Sequence, residues 1–210
     1  MSDLKHRKGT VSLVLRDAQG VPMAGRKVHA RLEKHAFLFG CGIFWMNALQ
    51  DPATPPEAKA HLEKLWQAWH EVFNYGTLSF YQGRYEPREN ETLEVPTLRA
   101  AKFLKEHNVT MKGHPLCWHT VSAKWLMGRS HQDVLANQLH RIQRDVSAFK
   151  DYVTLWDVIN EVVIMPVFEK EDNAITRLCQ EMGRVGLVKA VFDAARAANP
   201  DATLLLNDFN

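Results

Sequence analysis

The residues of this 210-residue chain that could do chemistry sit at the ends of short apolar runs. Thr154-Leu155-Trp156-Asp157-Val158-Ile159-Asn160-Glu161 begins apolar and ends on an amide and a carboxylate. Gly113-His114-Pro115-Leu116-Cys117-Trp118-His119 ends on an indole and an imidazole. A third run leads to Asn207, Asp208 and Asn210, a fourth to Phe44, Trp45 and Asn47, and a fifth to Phe80, Tyr81, Gln82, Arg84, Tyr85 and Glu86. A carboxylic acid sheltered by aromatic rings holds its proton to higher pH, because desolvation disfavours the charged form, and can then act as a general acid. Glu161 is the candidate for that role; on its own strand alone, a Glu that caps a loop or pairs with a Lys is an equal reading. Rings mixed with amides, imidazoles and carboxylates suit a sugar, whose apolar faces stack while its hydroxyls need fixed donors and acceptors. Any single ring reads as packing; their concentration at one kind of place favours a binding surface.

Strand geometry constrains this reading. Successive side chains alternate between faces, so His114 and Trp118 share a face and His119 takes the other, and Asn160 and Glu161 divide in the same way. Both members of each pair can meet in one site only if the strand bulges or ends there, and an irregularity is expected at each place. His114 and His119 could be metal ligands, but a separation of five residues with no evident third ligand favours hydrogen bonding. No metal and no cofactor is expected.

The elements that must position these residues alternate. Strands are expected over 36–43, 73–80, 109–118, 154–161 and 202–208, with helices over 55–72, 96–108, 132–149 and 174–199 between them. Strand after helix after strand argues for parallel β/α units, closed either as an open doubly wound sheet or as a (β/α)8 barrel cut short. In both, the C-terminal ends of the strands carry the chemistry. A nucleotide reading would want a Gly-rich phosphate loop, yet Gly40-Cys41-Gly42 runs into Ile43, Phe44 and Trp45, which are too bulky to cradle a phosphate. Ahead of these units, 11–16 and 27–32 alternate and flank turn residues at 17–20 and 22–25. They are expected to form a small β element over 1–34, a cover packed on the main domain at 35–210.

Bulk properties exclude some classes. The net charge of +2 comes from interspersed residues, so nucleic acid and an anionic membrane are not implied. No apolar run is long enough to span a bilayer. Met1 to Thr10 contain no apolar stretch, so these residues hold no expected signal peptide, and location stays open. Cys41, Cys117 and Cys179 are widely spaced and are expected to be buried free thiols.

Four of these runs, in order, resemble glycoside hydrolase family 10, the endo-β-1,4-xylanases. Gly113 to His119 resembles its Gly-His-x-Leu-x-Trp-His, and Trp156 to Glu161 its Trp-Asp-Val-x-Asn-Glu. Leu206 to Asn210 resembles Leu-Asn-Asp-Tyr/Phe-Asn, and Phe37 to Gly40 the first strand. The resemblance, from about His35 onward, implies an incomplete (β/α)8 TIM barrel of about five β/α units and cleavage of xylan with retention. It implies Glu161 as acid/base, with Asn160 holding the nucleophile and the substrate 2-hydroxyl. His114, Trp118 and His119 would line the subsite of the sugar under attack, with Asn207 and Asp208 as further substrate-binding residues. The usual Thr-x-Glu-Asn-x-Met-Lys-Trp is replaced by Thr77 to Pro87, where Gln82 and Arg84 are the expected substitutes, as in a divergent bacterial branch. The family's nucleophile lies in a Thr-Glu-x-Asp motif on its seventh strand, and these 210 residues do not contain it. The expectation is therefore an N-terminal part of such an enzyme, inactive alone. Its raw sheet edges would invite a complementing chain or self-association. The family implies export, xylan or a related β-1,4-glycan as partner, and no cofactor. The alternative is a non-catalytic carbohydrate-binding protein that keeps the sugar platform.

Overall fold

The computed structural model describes residues 9–33 and 35–209. The chain divides into two compact units, Met1–Lys34 and His35–Asn210.

The β element expected in the first unit is not formed. Among its described residues there is one antiparallel bridge, Arg16 to Pro22, and no strand. The bridge closes a turn in which Gly20 N donates to Asp17 O (2.9 Å) and the Asp17 carboxylate accepts from Gln19 N and Val21 N. So the turn chemistry around Asp17 was legible, while Val11, Leu13 and Leu15, the alternating residues, are exposed. Two short strands bury too little apolar surface to offset the cost of ordering them.

The second unit runs β1 (Gly40–Gly42), α1 (Met46–Leu49), α2 (Pro56–Val72), β2 (Tyr75–Ser79), α3 (Gln82–Tyr85), α4 (Glu94–Glu106), β3 (Thr110–His114), α5 (His131–Ala148), β4 (Leu155–Asn160), α6 (Ala174–Ala198) and β5 (Thr203–Asn207). The strands pair in parallel, in sequence order β1-β2-β3-β4-β5. A doubly wound sheet would reverse its strand order at a switch point; strict sequential order is that of a (β/α)8 barrel. The five units form an open sheet, an incomplete barrel.

Local sequence explains the elements. α2 starts with Pro56 in its first turn and buries Trp66 and Trp69. α4 buries Thr97, Ala100, Ala101 and Leu104 at helical spacing. Ser130 caps α5 by accepting from Asp133 N, and Asn173 caps α6 by accepting from Thr176 N. α6 kinks at Gly183, whose φ of 72° breaks the helical path. Strand β1 is shorter than expected: it has one neighbour, and Phe37, Leu38 and Phe39 before it are exposed.

The core lies between sheet and helices. In β2 and β3 the alternate residues Gly76, Leu78, Met111 and Gly113 are buried, and those between them are half-buried. Gly113 is dictated by packing: a Cβ there would stand 2.2 Å from the Trp156 ring. Trp156 is fully buried and meets Phe80 edge to face at 4.8 Å between centroids. Cys117 and Cys179 are buried free thiols as expected, and burial pushes the Cys117 thiol up to about 12. Cys41 is exposed instead, because it lies on the edge strand, where its sulfur accepts from Trp69 Nε1 at 3.2 Å.

Candidate active site

Both expected irregularities are present. The pairing of β4 with β5 slips between Asp157 and Ile159: Asp157 pairs with Leu205, Ile159 with Leu206 and Asn160 with Asn207. Leu205 and Asn207 are two apart, so the slip brings Asp157 and Asn160 to one face of the sheet. Glu161 then leaves the strand with a positive φ of 54°, a conformation non-glycine residues adopt at a cost of about 1 kcal/mol. Backbone bonds hold it there: Glu161 N donates to Asn207 O and Met165 N to Glu161 O. β3 meanwhile ends at His114, and the next residues run along β4. Leu116 N donates to Asp157 O, Cys117 N to Val158 O, and Asn160 N to Cys117 O. This path delivers Trp118 and His119 to Glu161.

The result is one cluster. Trp118 Nε1 donates to Glu161 Oε2 at 2.9 Å, and His119 Nε2 lies 3.8 Å from the same oxygen. The Glu161 side chain keeps about a quarter of its surface, 24%, open. The side-chain amides of Asn160 and Asn207 meet at 2.7 Å. Asp157 Oδ2 accepts from His114 Nδ1 at 2.6 Å and from Lys112 Nζ at 2.8 Å. Since Asp157 engages Nδ1, the ring nitrogen left to meet a ligand is Nε2. Tyr81 joins the two halves: its ring lies 5.4 Å from both His114 and Trp118, with Phe44 edge-on at 5.7 Å.

The charges are set by surroundings. Burial would raise the Asp157 carboxyl, but hydrogen bonds and charges from His114 and Lys112 outweigh it and hold the group below its ordinary value. Burial lowers His119, against a smaller pull from the Glu161 and Asp208 carboxylates, so its imidazole is held neutral. Burial raises the Tyr81 hydroxyl, opposed by Arg84 and supported by Glu161 and Asp157, which keeps it a protonated donor.

The structure thus brings together Glu161, Asn160, Asn207, His114, Trp118 and His119. Arg84 is exposed and reaches the cluster by its guanidinium lying 5.8 Å from the Tyr81 ring. Gln82 does not reach it. Its side chain is buried against α5, donating to Asn137 Oδ1 and accepting from Gln138 Nε2, because 82–85 winds into the short helix α3 and not a strand-end loop. Asp208 is a tether: its carboxylate accepts from Val163 N (3.0 Å) and Phe209 N (2.9 Å), fixing the loop after β4. Sequence reasoning placed Tyr81 among the strand-end residues without assigning it a role, and gave none to Lys112 or Asp157. Lys112 had a usable signal, since it lies two residues before His114 on the same face. Tyr81 had none beyond its place after β2. Among the described residues, no group of three or more His, Cys, Asp or Glu is placed to hold a metal ion. No described helix is long and apolar enough to cross a membrane.

The profile of glycosyl hydrolase family 10 matches residues 85–210, more than half of the chain and all of the β3, β4 and β5 ends. The chain belongs to glycosyl hydrolase family 10. Endo-1,4-beta-xylanase A of Xylanibacter ruminicola is 31% identical over 117 residues, covering 52% of this chain and 30% of that protein. Endo-1,4-beta-xylanase B of Paenibacillus barcinonensis is 29% identical over 132 residues, covering 59% of this chain and 38% of that protein. The chain therefore spans about a third of the length of these curated relatives, 30% and 38%. Among solved structures, a family 10 protein from Paenibacillus barcinonensis superposes with a TM-score of 0.63 at 24% identity, over 82% of this chain and 51% of that one. A psychrophilic family 10 endo-beta-1,4-xylanase gives 0.61 at 25%, over 83% and 54%. Family membership, the barrel fold and its partial extent agree with what the four motifs implied.

Proposed function

We propose that this chain carries the acid/base half of a retaining endo-β-1,4-xylanase site, with Glu161 as the acid/base. The observation that carries the reading is the environment of Glu161. It is half-sheltered at a strand end, one oxygen bound to the Trp118 indole and facing a neutral His119, within a ring of aromatic and amide side chains. In the two-carboxylate scheme such a group protonates the leaving glycosidic oxygen and later deprotonates the incoming water. Tyr81 and Trp118 offer faces for sugar stacking; His114 Nε2, Asn160 and Asn207 offer hydrogen bonds to hydroxyls. The relatives named as xylanases make β-1,4-xylan the substrate of choice.

Retention needs a second carboxylate ~5–5.5 Å from the first. Asp157 is bound to two cationic or imidazole partners and Asp208 to two backbone N–H groups, so neither is free to attack an anomeric carbon. This favours sugar binding without turnover by the 210 residues themselves. The test is calorimetric titration of the chain with xylohexaose, cellohexaose and mannohexaose, beside reducing-end release from xylan. We expect xylohexaose to bind best, Trp118→Ala to lose that binding, and no reducing ends to be released. Absence of binding to any of the three overturns the substrate reading. Release that Glu161→Gln abolishes overturns the half-site reading and reveals a second carboxylate.

A further inference from the structure

Beneath the site, inside α5, lies a fully buried arginine that the chemistry does not use. Arg141 Nη1 donates to the carbonyl of Leu116, and Nη2 to the carbonyl of Phe80. Phe80 is the residue at which the chain leaves β2, one before Tyr81. Leu116 lies just past β3, two before Trp118, and its own N–H is bonded to Asp157 O in β4. One guanidinium therefore ties the exit of β2 to the exit of β3, and Leu116 in turn is bonded to β4.

We propose that Arg141 is a positioning residue of the site, a clamp whose two arms set the spacing between Tyr81 and the Trp118–Glu161 pair. The choice of side chain supports this. Burying a cation is costly, and a well-packed apolar residue would serve stability as well or better. Here the cost is offset by a built network: Arg141 Nε lies 3.5 Å from Asp145 Oδ2, and Arg144 bridges Asp145 (2.8 Å) to Glu86 (3.0 Å). Two cations face two carboxylates, all held behind the strand ends. What a planar fork provides, and an apolar side chain or a lysine does not, is two rigidly spaced donors for two carbonyls. The inference rests on the sugar-binding reading of the site for its purpose, and on the two carbonyl contacts for its geometry.

The test uses the 210-residue chain with Arg141→Lys and Arg141→Met. The indole N–H signal of Trp118, assigned with Trp118→Phe, reports its bond to Glu161; that of Trp69, bonded to Cys41, reports the fold elsewhere. Expected is a shifted and faster-exchanging Trp118 signal with Trp69 unmoved. Affinity for xylohexaose should fall about tenfold, the loss of roughly one hydrogen bond to the sugar. Lysine should not rescue. A folded variant with Trp118 signal and affinity unchanged overturns the proposal. Should both variants fail to fold, the unmutated chain decides: a clamped guanidinium shows separate, slowly exchanging Nη1 and Nη2 signals, and a single averaged signal overturns the clamp. If the unmutated chain binds no xylohexaose, the substrate reading fails, while the indole and guanidinium signals still judge Arg141.

Discussion

Asp157→Asn is the most informative single change outside the acid/base. The Asp157 side chain is 1% exposed, and one of its oxygens accepts from both Lys112 (2.8 Å) and His114 (2.6 Å). Removing one partner from a buried ion pair costs about 3–5 kcal/mol, because it strands the other charge. Lys112 and His114 keep 19% and 13% of their side-chain surface, so water partly compensates them. An asparagine oxygen also still accepts one of the two bonds. These two corrections bring the expected loss to about 2–3 kcal/mol, or a fall in Tm of roughly 4–12 °C for a domain of this size. The pH dependence has a definite sign. A carboxyl whose folded value lies below its unfolded value contributes stability that is fully present above the unfolded value, about 4, and is lost as pH falls through the folded one. Urea unfolding of wild type and Asp157→Asn should therefore differ by a constant amount from pH 7 to about 5, and converge as the pH drops below about 4. Adding Lys112→Met to Asp157→Asn should recover part of the loss. A difference below about 0.5 kcal/mol at pH 7, or one that stays flat down to pH 2.5, would refute the reasoning.

Gly113→Ala places a methyl 2.2 Å from a buried indole and should cost about 1–3 kcal/mol by urea unfolding; Trp156→Leu in the same background should relieve it. His119, held neutral by burial, contributes stability that is present above its unfolded value, about 6.5, and lost as pH falls through its lower folded value. His119→Gln should flatten unfolding free energy between pH 6.5 and 5, and an unchanged slope would contradict that assignment. Trp118→Phe keeps a stacking face but removes the N–H to Glu161; titration should show most of the xylohexaose affinity retained, against its loss in Trp118→Ala.

The sequence by itself determined the type and order of the main elements, because helical and strand periodicities are local and strong from Pro56 to Asn207. It also marked Glu161, Asn160, His114, Trp118 and His119 as a set, since strand ends can be counted along the chain. Even the need for irregular strands followed from parity alone, and the slip in β4 and the positive φ at Glu161 are its realisation. The tertiary structure decided what alternation cannot. Residues 11–16 and 27–32 alternate as strands do, yet no strand forms, because pairing depends on partners a sequence window does not contain. Gln82 and Arg84 stand two apart and were equal candidates. The turn of α3 sends one into the buried amides of α5 and leaves the other exposed beside Tyr81. Asp157 and Asp208 are indistinguishable as carboxylates in a sequence; only their neighbours make one an anchor for His114 and the other a tether for a loop. Arg141, on the buried side of an amphipathic helix, breaks the apolar pattern, and its purpose lies in two carbonyls, far apart in sequence, that the pairing of β2 with β3 brings to it.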